Sequence, residues 1–197
     1  MARKAVDVVL LPEETIADKA IKANAKLVEN CGSEIVLNKE DCLPHISLAM
    51  GCVDEKDIAY IEKILQSIAK ENLLGDLTVF GIQTTGVGSK AVSVFEIEKT
   101  RELQLLHETV TERLVPYFSY DITADMIADV EVEQRTLQWI SSFREKSSYE
   151  NFSPHITIGY GKIENPAFSM DFTALKLALC HLGNHCTCRE ILVLVEL

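Results

Sequence analysis

Two short stretches of this chain place a histidine and a hydroxyl residue two positions apart: His45-Ile46-Ser47 and His155-Ile156-Thr157. On an extended strand, residues i and i+2 share a face, so imidazole and hydroxyl project together while Ile46 and Ile156 turn away. Each stretch follows a proline, Pro44 or Pro154, and closes on a glycine, Gly51 or Gly159. One His-x-[Ser/Thr] on a strand is ordinarily structural. Two in the same local setting read as one site built twice. The chemistry that wants such a pair is proton transfer at a phosphodiester. One group takes a proton from the nucleophile, another gives one to the leaving oxygen, and histidine serves either role near neutral pH. Ser47 and Thr157 can each donate one hydrogen bond to the non-bridging oxygens.

The tetrapeptides His45-Ile-Ser47-Leu48 and His155-Ile-Thr157-Ile158 resemble the paired signature of the 2H phosphoesterase superfamily. That superfamily includes the 2′-5′ RNA ligase-like proteins and the 2′,3′-cyclic nucleotide phosphodiesterases. Outside the two motifs the likeness rests on the order of elements. It implies a metal-independent phosphoesterase without cofactor, acting on a 2′,3′-cyclic phosphate or a 2′-5′ linkage of an RNA end or small nucleotide. His45 and His155 are then acid and base, in an order the sequence does not assign, and Ser47 and Thr157 hold the phosphate. Run backwards, the same chemistry is 2′-5′ RNA ligation. A chain that keeps both histidines but turns nothing over is a nucleotide-binding module. Both alternatives stay open.

Four further residues are secondary candidates. Tyr160 and Lys162 follow the second motif, and Arg3 and Lys4 precede the first strand. Tyr160 stands at odd spacing from His155, so reaching the same face requires a bend at Gly159 or Gly161. The stretch Thr84–Lys90 carries two glycines and could offer backbone N–H groups to a phosphate, but it has no Walker or dinucleotide pattern and reads as a hairpin loop. His107 sits beside an apolar helical stripe and reads as a flank residue.

At 197 residues the chain is long enough for one well-buried domain. Its net charge of −11 opposes extended nucleic-acid binding, which needs many Lys and Arg contacts, while leaving room for a small phosphate pocket. The N-terminal residues lack the apolar core of a targeting segment, and no apolar run reaches membrane-spanning length. A cytoplasmic location with reduced cysteines is expected. Cys180, His181, His185, Cys186 and Cys188 crowd together, which raises a thiol- or metal-responsive regulator as a third reading. The single-residue gap between Cys186 and Cys188 does not fit a zinc site. Oligomeric state is not set by the sequence.

The elements that must carry the motifs follow from periodicity. Residues 5–11 predict a buried strand, and Ile16, Ala20, Ala23 and Leu27 a helix opening at Thr15 and ending at Gly32. Residues 34–37 predict a short strand before the first motif. A helix with Ile58, Ile61, Leu65 and Ile68 inward follows, with Asp54 and Asp57 resembling a capping box. Strands are expected at 78–82 and 91–97, and helices from a Thr100 cap to Leu114 and over 133–144. Residues 119–131 are ambiguous, and 145–151 read as a polar loop. After the second motif, Leu175, Leu177 and Leu179 alternate towards a tight Gly183-Asn184 turn and a return strand at 190–196. The architecture expected is α+β: a single domain of two lobes, mainly antiparallel sheets with outer helices, and a central cleft carrying both histidine strands.

Overall fold

The computed structural model describes residues 2–32, 34–71, 74–86, 91–163 and 169–197, with the backbone alone of Cys31. In order the elements are β1 (Arg3–Leu11), α1 (Glu14–Cys31), β2 (Ile46–Asp54), α2 (Ile58–Glu71), β3 (Leu77–Thr85), β4 (Val92–Ile97), α3 (Arg101–Leu114), α4 (Gln134–Ser147), β5 (His155–Tyr160), β6 (Met170–Phe172), β7 (Lys176–Leu182) and β8 (Cys188–Glu196). The fold is α+β. Every strand pairs antiparallel, in the order β6-β3-β4-β5-β2-β1-β7-β8. The two groups of strands that the sequence presents as lobes are thus halves of one sheet. They meet at β5 and β2 through the single pair Ile46–Ile156. Each half contains a unit of two strands joined through a helix, α1 between β1 and β2 and α3 (followed by α4) between β4 and β5, and its last strand bears a motif.

The central strands β1, β2 and β7 are buried on both faces. Val6, Val8, Leu10, Ile46, Leu48, Ile156 and Ile158 join the apolar stripes of α1, α2 and α3 in one core. Ala5, Val9, Met50, Cys52, Ala178 and Cys180 meet Ile140 and Phe143 of α4 in another. Full burial of side chains the size of Ile46 or Leu48 contributes about 1.5–3 kcal/mol each. The motif isoleucines are therefore anchors that fix which way the histidines face.

Both motif strands contain a bulge at the same distance from the histidine. In β1–β2, Val8 lies opposite Ala49 and Val9 opposite Ser47, so Leu48 is an extra residue. In β4–β5, Ser93 lies opposite Gly159 and Val94 opposite Thr157, so Ile158 is extra. An extra residue shifts the alternation of faces by one. His155, Thr157 and Tyr160 consequently share a side, as do His45, Ser47 and Met50. This is the bend that Tyr160 needs, and Gly159 makes it with φ 147°. A Cβ there would also stand 2.9 Å from Asn24 Nδ2.

A bulge displaces a carbonyl from the ladder, and a buried carbonyl requires another donor. Asn24 of α1 donates through Nδ2 to Ile158 O at 2.8 Å and to Ile35 O at 2.9 Å, and its Oδ1 accepts from Leu37 N at 2.9 Å. His107 of α3 accepts from Tyr149 N at Nε2 (2.8 Å), which leaves Nδ1–H to donate to Leu48 O at 2.7 Å. The helix of each unit thus ties the motif strand of the other. His107 is fully buried and stacked on Phe152, 4.0 Å between centroids, so it is a core strut and not a helix flank.

Other departures from the sequence expectations are local. α1 has Glu13 at its N-cap, two residues before the expected Thr15. Residues 34–37 form no strand, because their backbone is held by Asn24 instead. Asp54 makes no side-chain cap, and a 3₁₀ turn, Glu55–Asp57, leads into α2. Thr100 does cap α3, accepting from Leu103 N at 3.2 Å. The ambiguous middle docks by a bridge between Cys52 and Ser119 and a turn at Ala124–Met126. α4 runs on to Ser147. Leu175 is exposed, and β7 buries Leu177, Ala178 and Leu179 in succession because helices cover both faces of the sheet. The turn after it spans residues 183–187, closed by Gly183 N to Thr187 O.

Removing the Asn24 amide strands two carbonyls and one N–H in the core, each unsatisfied group costing about 1–3 kcal/mol before relaxation. Asn24→Ala is expected to lower unfolding stability by about 3 kcal/mol or more, read from urea denaturation. A loss below about 1 kcal/mol would show that water replaces the amide.

Candidate functional site

The seam is where the two motifs become one site. Carried one residue either way from the Ile46–Ile156 pair, the antiparallel register sets His45 across from Thr157 and Ser47 across from His155. The four side chains line a single cleft of about 690 Å³. Each histidine is held in the same manner. His45 Nδ1 lies 2.7 Å from Leu43 O, and His155 Nδ1 lies 2.8 Å from Ser153 O. A carbonyl can only accept, so Nδ1 carries the proton in both rings and Nε2 is left for chemistry. In each case the carbonyl is two residues back, across the motif proline. The Thr157 hydroxyl has no partner among the described residues. The Ser47 hydroxyl stands close to Asp7.

The electrostatics of the empty site favour neutral imidazoles. Burial pushes His45 down to about 4 from 6.5, partly countered by Leu43 O, and a charge on His155 would push it further. The edge facing the cleft keeps 13% of the His45 side chain exposed, and the buried remainder sets the direction. His155 is lowered too, by burial first, with Ser153 O opposing. Behind His45 stands Asp7 of β1, with no exposed surface. Its Oδ2 is 4.0 Å from His45 Nε2. Desolvation holds this carboxyl well above the usual range, while Ser47 and the Ala49 N–H pull the other way. Both contacts fall short of full hydrogen-bond geometry, since neither carboxylate oxygen has a hydrogen-bond partner among the described residues.

A second group of polar residues forms one wall. Tyr160 Oη approaches His185 Nδ1 at 3.1 Å, and the Arg135 guanidinium donates to Tyr160 Oη and lies 4.8 Å over its ring. Glu133 pairs with Arg135 at 2.7 Å. The turn that presents His185 is fixed by Asn184, whose Oδ1 accepts from Glu133 N (3.1 Å) and Thr136 Oγ1 (2.7 Å) at the start of α4. Phe80 of β3 and Trp139 of α4 also line the cleft, each 52% exposed. Of the lining residues that are acidic or basic, His45, His155, His185, Lys99 and Arg135 stand against Glu96, so the cleft is less acidic than the chain as a whole.

Of the secondary candidates only Tyr160 lines this cleft. Lys162 is exposed just beyond β5, outside the lining. Arg3 and Lys4 lie at the opposite end of β1 from the motif, roughly 20 Å away at strand rise. There Arg3 faces Asp54 at 3.9 Å and Lys4 faces Glu55 at 3.7 Å. They cannot reach the cleft because β1 runs antiparallel to β2. The tip of the 84–90 loop, residues 87–90, lies outside the described residues. Cys180 and Cys188 are buried, Cys186 is half-buried beside the cleft, and His181 turns to Met126 O at 3.0 Å. Among the described residues no three His, Cys, Asp or Glu side chains converge as a metal site. Sequence reasoning passed over Asp7, Arg135, Phe80 and Trp139, and placed His185 in the Cys180–Cys188 cluster and not in this cleft. Asp7 alone carried a signal, a lone carboxylate inside an apolar strand.

No protein-family model matches the sequence, and no curated protein matches it. Among solved structures, E. coli LigT complexed with 3′-AMP is similar over 100% of this chain and 99% of that one, at 15% identity and a TM-score of 0.51. LigT complexed with phosphate is similar at 14% identity and a TM-score of 0.49, over 100% and 98%. A crystal structure described as a phosphoesterase is similar at 15% identity and 0.46, over 98% of each chain. The first likeness shows that the chain has the LigT fold.

With both Nε2 atoms deprotonated in the empty site, a histidine titration by NMR is expected to place both imidazoles below 6.5, with His45 near 4. An unliganded His45 that titrates at or above 6.5 would contradict the desolvation argument.

Proposed function

We propose that this cleft is the active site of a metal-independent phosphoesterase acting on 2′,3′-cyclic phosphate or 2′-5′ phosphodiester bonds of RNA ends or small nucleotides. The observation that carries this is the matched pair of histidines. Each has Nδ1 tied to its own chain and Nε2 free in one cleft, with a hydroxyl across the seam. One imidazole, neutral, takes the proton of the attacking water or ribose hydroxyl. The other, protonated when the anionic substrate is bound, gives a proton to the departing ribose oxygen. Ser47 and Thr157 donate to the non-bridging oxygens and stabilise the charge that grows there.

The rest of the cleft supports a nucleotide-sized substrate. Its volume falls within the range of small-molecule sites. LigT, whose fold this chain shares, was crystallised with 3′-AMP. The exposed faces of Phe80 and Trp139 suit a nucleobase, since stacking on an aromatic ring contributes about 1–3 kcal/mol per base. The −11 net charge disfavours a long nucleic acid, so recognition is confined to an end.

Turnover of a 2′,3′-cyclic nucleotide is the direct test. His45→Ala and His155→Ala are each expected to lower the rate by about 10²- to 10⁴-fold, and the double variant by little more, because either loss already breaks the transfer. Ser47→Ala and Thr157→Ala are expected to cost less, as each removes one neutral donor. Near-normal turnover in either folded histidine variant would exclude the two-histidine mechanism. In the same assay Trp139→Ala is expected to raise KM several-fold with little change in kcat. An unchanged KM would remove the base-stacking role.

A further inference from the structure

The two halves of the site match closely except in where they place acid. The register of β1 on β2 puts Asp7 opposite Met50, on the motif side of the sheet, and the equivalent position in β4, opposite Tyr160, is Val92. Glu96, beside His155, extends instead towards Gly81 of β3. Only His45, then, has a buried carboxylate at its back. That carboxylate has no exposed surface, and although Ser47 and the Ala49 N–H lie near, neither oxygen completes a hydrogen bond among the described residues. An ionised carboxylate in such a place is costly unless a cation compensates it. Among the described residues the one cationisable side chain within ion-pair reach is His45, through Nε2 at 4.0 Å. The other ionisable neighbours are thiols. Cys180 lies across on β7, and Cys186 and Cys188 approach from the following turn and β8 with thiols that burial keeps protonated.

We propose that Asp7 and His45 hold one proton between them, on the carboxyl when the cleft is empty and on His45 Nε2 when an anion occupies it, which makes His45 the general acid. This rests on the phosphoesterase reading of the cleft. On anion binding the Asp7 O–H bond breaks and an Nε2–H bond forms, leaving a carboxylate and an imidazolium. The bound anion on one side and the carboxylate on the other stabilise that cation. In the reaction the Nε2–H proton passes to the leaving ribose oxygen, while His155 takes a proton from the nucleophile. The site resets when His155 releases its proton and the Asp7–His45 pair takes one up. At 4.0 Å the two groups are beyond hydrogen-bond length, so transfer needs a swing of the ring about its Leu43 tether. Asp7 is a positioning residue here, acting through His45 without touching substrate. The structure thereby assigns roles that two like motifs leave symmetric.

The test uses the full chain and inorganic sulfate, an anion that does not itself titrate near neutrality. Sulfate is titrated calorimetrically at pH 7 in two buffers of different ionisation enthalpy, with the His45 ring nitrogens followed by NMR. Wild type is expected to bind sulfate with close to zero protons drawn from the buffer while His45 becomes an imidazolium. Asp7→Asn, which keeps shape but holds no transferable proton, is expected to bind about tenfold or more weakly, with His45 staying neutral. Its pH profile for turnover should lose rate at neutral pH and recover towards acid, where solvent supplies the proton. A wild type that draws a whole proton from buffer per sulfate overturns the shared proton even if the variant cannot fold. So does an Asp7→Asn variant whose His45 protonates as in wild type. Failure of wild type to bind sulfate at all would instead remove the phosphate site together with this inference.

Discussion

The whole site depends on a carbonyl that each motif strand cannot pair within its sheet. The bulges at Leu48 and Ile158 turn the strands so that histidine, hydroxyl and the residue beyond the bulge share a face, at the cost of displacing one buried acceptor in each. Asn24 and His107 supply the missing donors, and each comes from the helix of the opposite half. An unmet carbonyl in an apolar core costs about as much as a lost core methylene or more, so the bulges persist only while those helices are docked. Since β2 and β5 touch through one residue pair, this exchange of side chains does much of the work of holding the halves in register.

The same device positions the chemistry. The chain runs from Leu43 or Ser153 through a proline to the histidine, so the carbonyl that fixes the ring lies on the same short segment. Proline restricts that segment before folding begins, and each ring is oriented locally without help from a distant side chain. The distant contacts decide something else, namely that the two locally oriented rings open into a common space. The geometry of the cleft therefore divides into a local part, repeated twice, and a global part that exists only at the seam.

Burial shapes the charge of the site more than net charge does. A chain at −11 has an interior corner where two imidazoles and a carboxyl are all driven towards neutrality. Desolvation penalises whichever form is charged, so it lowers the histidines and raises the acid together. On the proposed reading, an entering phosphate would reverse that balance for the nearest imidazole. The contrast between Asp7 and Val92 at matching positions then separates two otherwise similar histidines.

The sequence by itself determined the motif residues, the strands that bear them and the α+β class, because a period of two, a preceding proline and repeated context are local properties. Thr100 as a cap and the apolar stripe of α3 were legible for the same reason. The bend at Tyr160 was legible only as a requirement. Its cause, an extra residue opposed by none on the neighbouring strand, is a relation between two strands and is not written in either. Likewise Asn24 and His107 read as ordinary helix residues, since the carbonyls they serve lie on strands well over a hundred and nearly sixty positions away. Arg3 and Lys4 looked close to the site along the chain, but antiparallel pairing sends β1's start to the far end of β2. Which side chains line the cleft, and which histidine has an acid behind it, were decided by strand order. The physical reason is that strand order brings together residues whose separation in sequence carries no information about their distance.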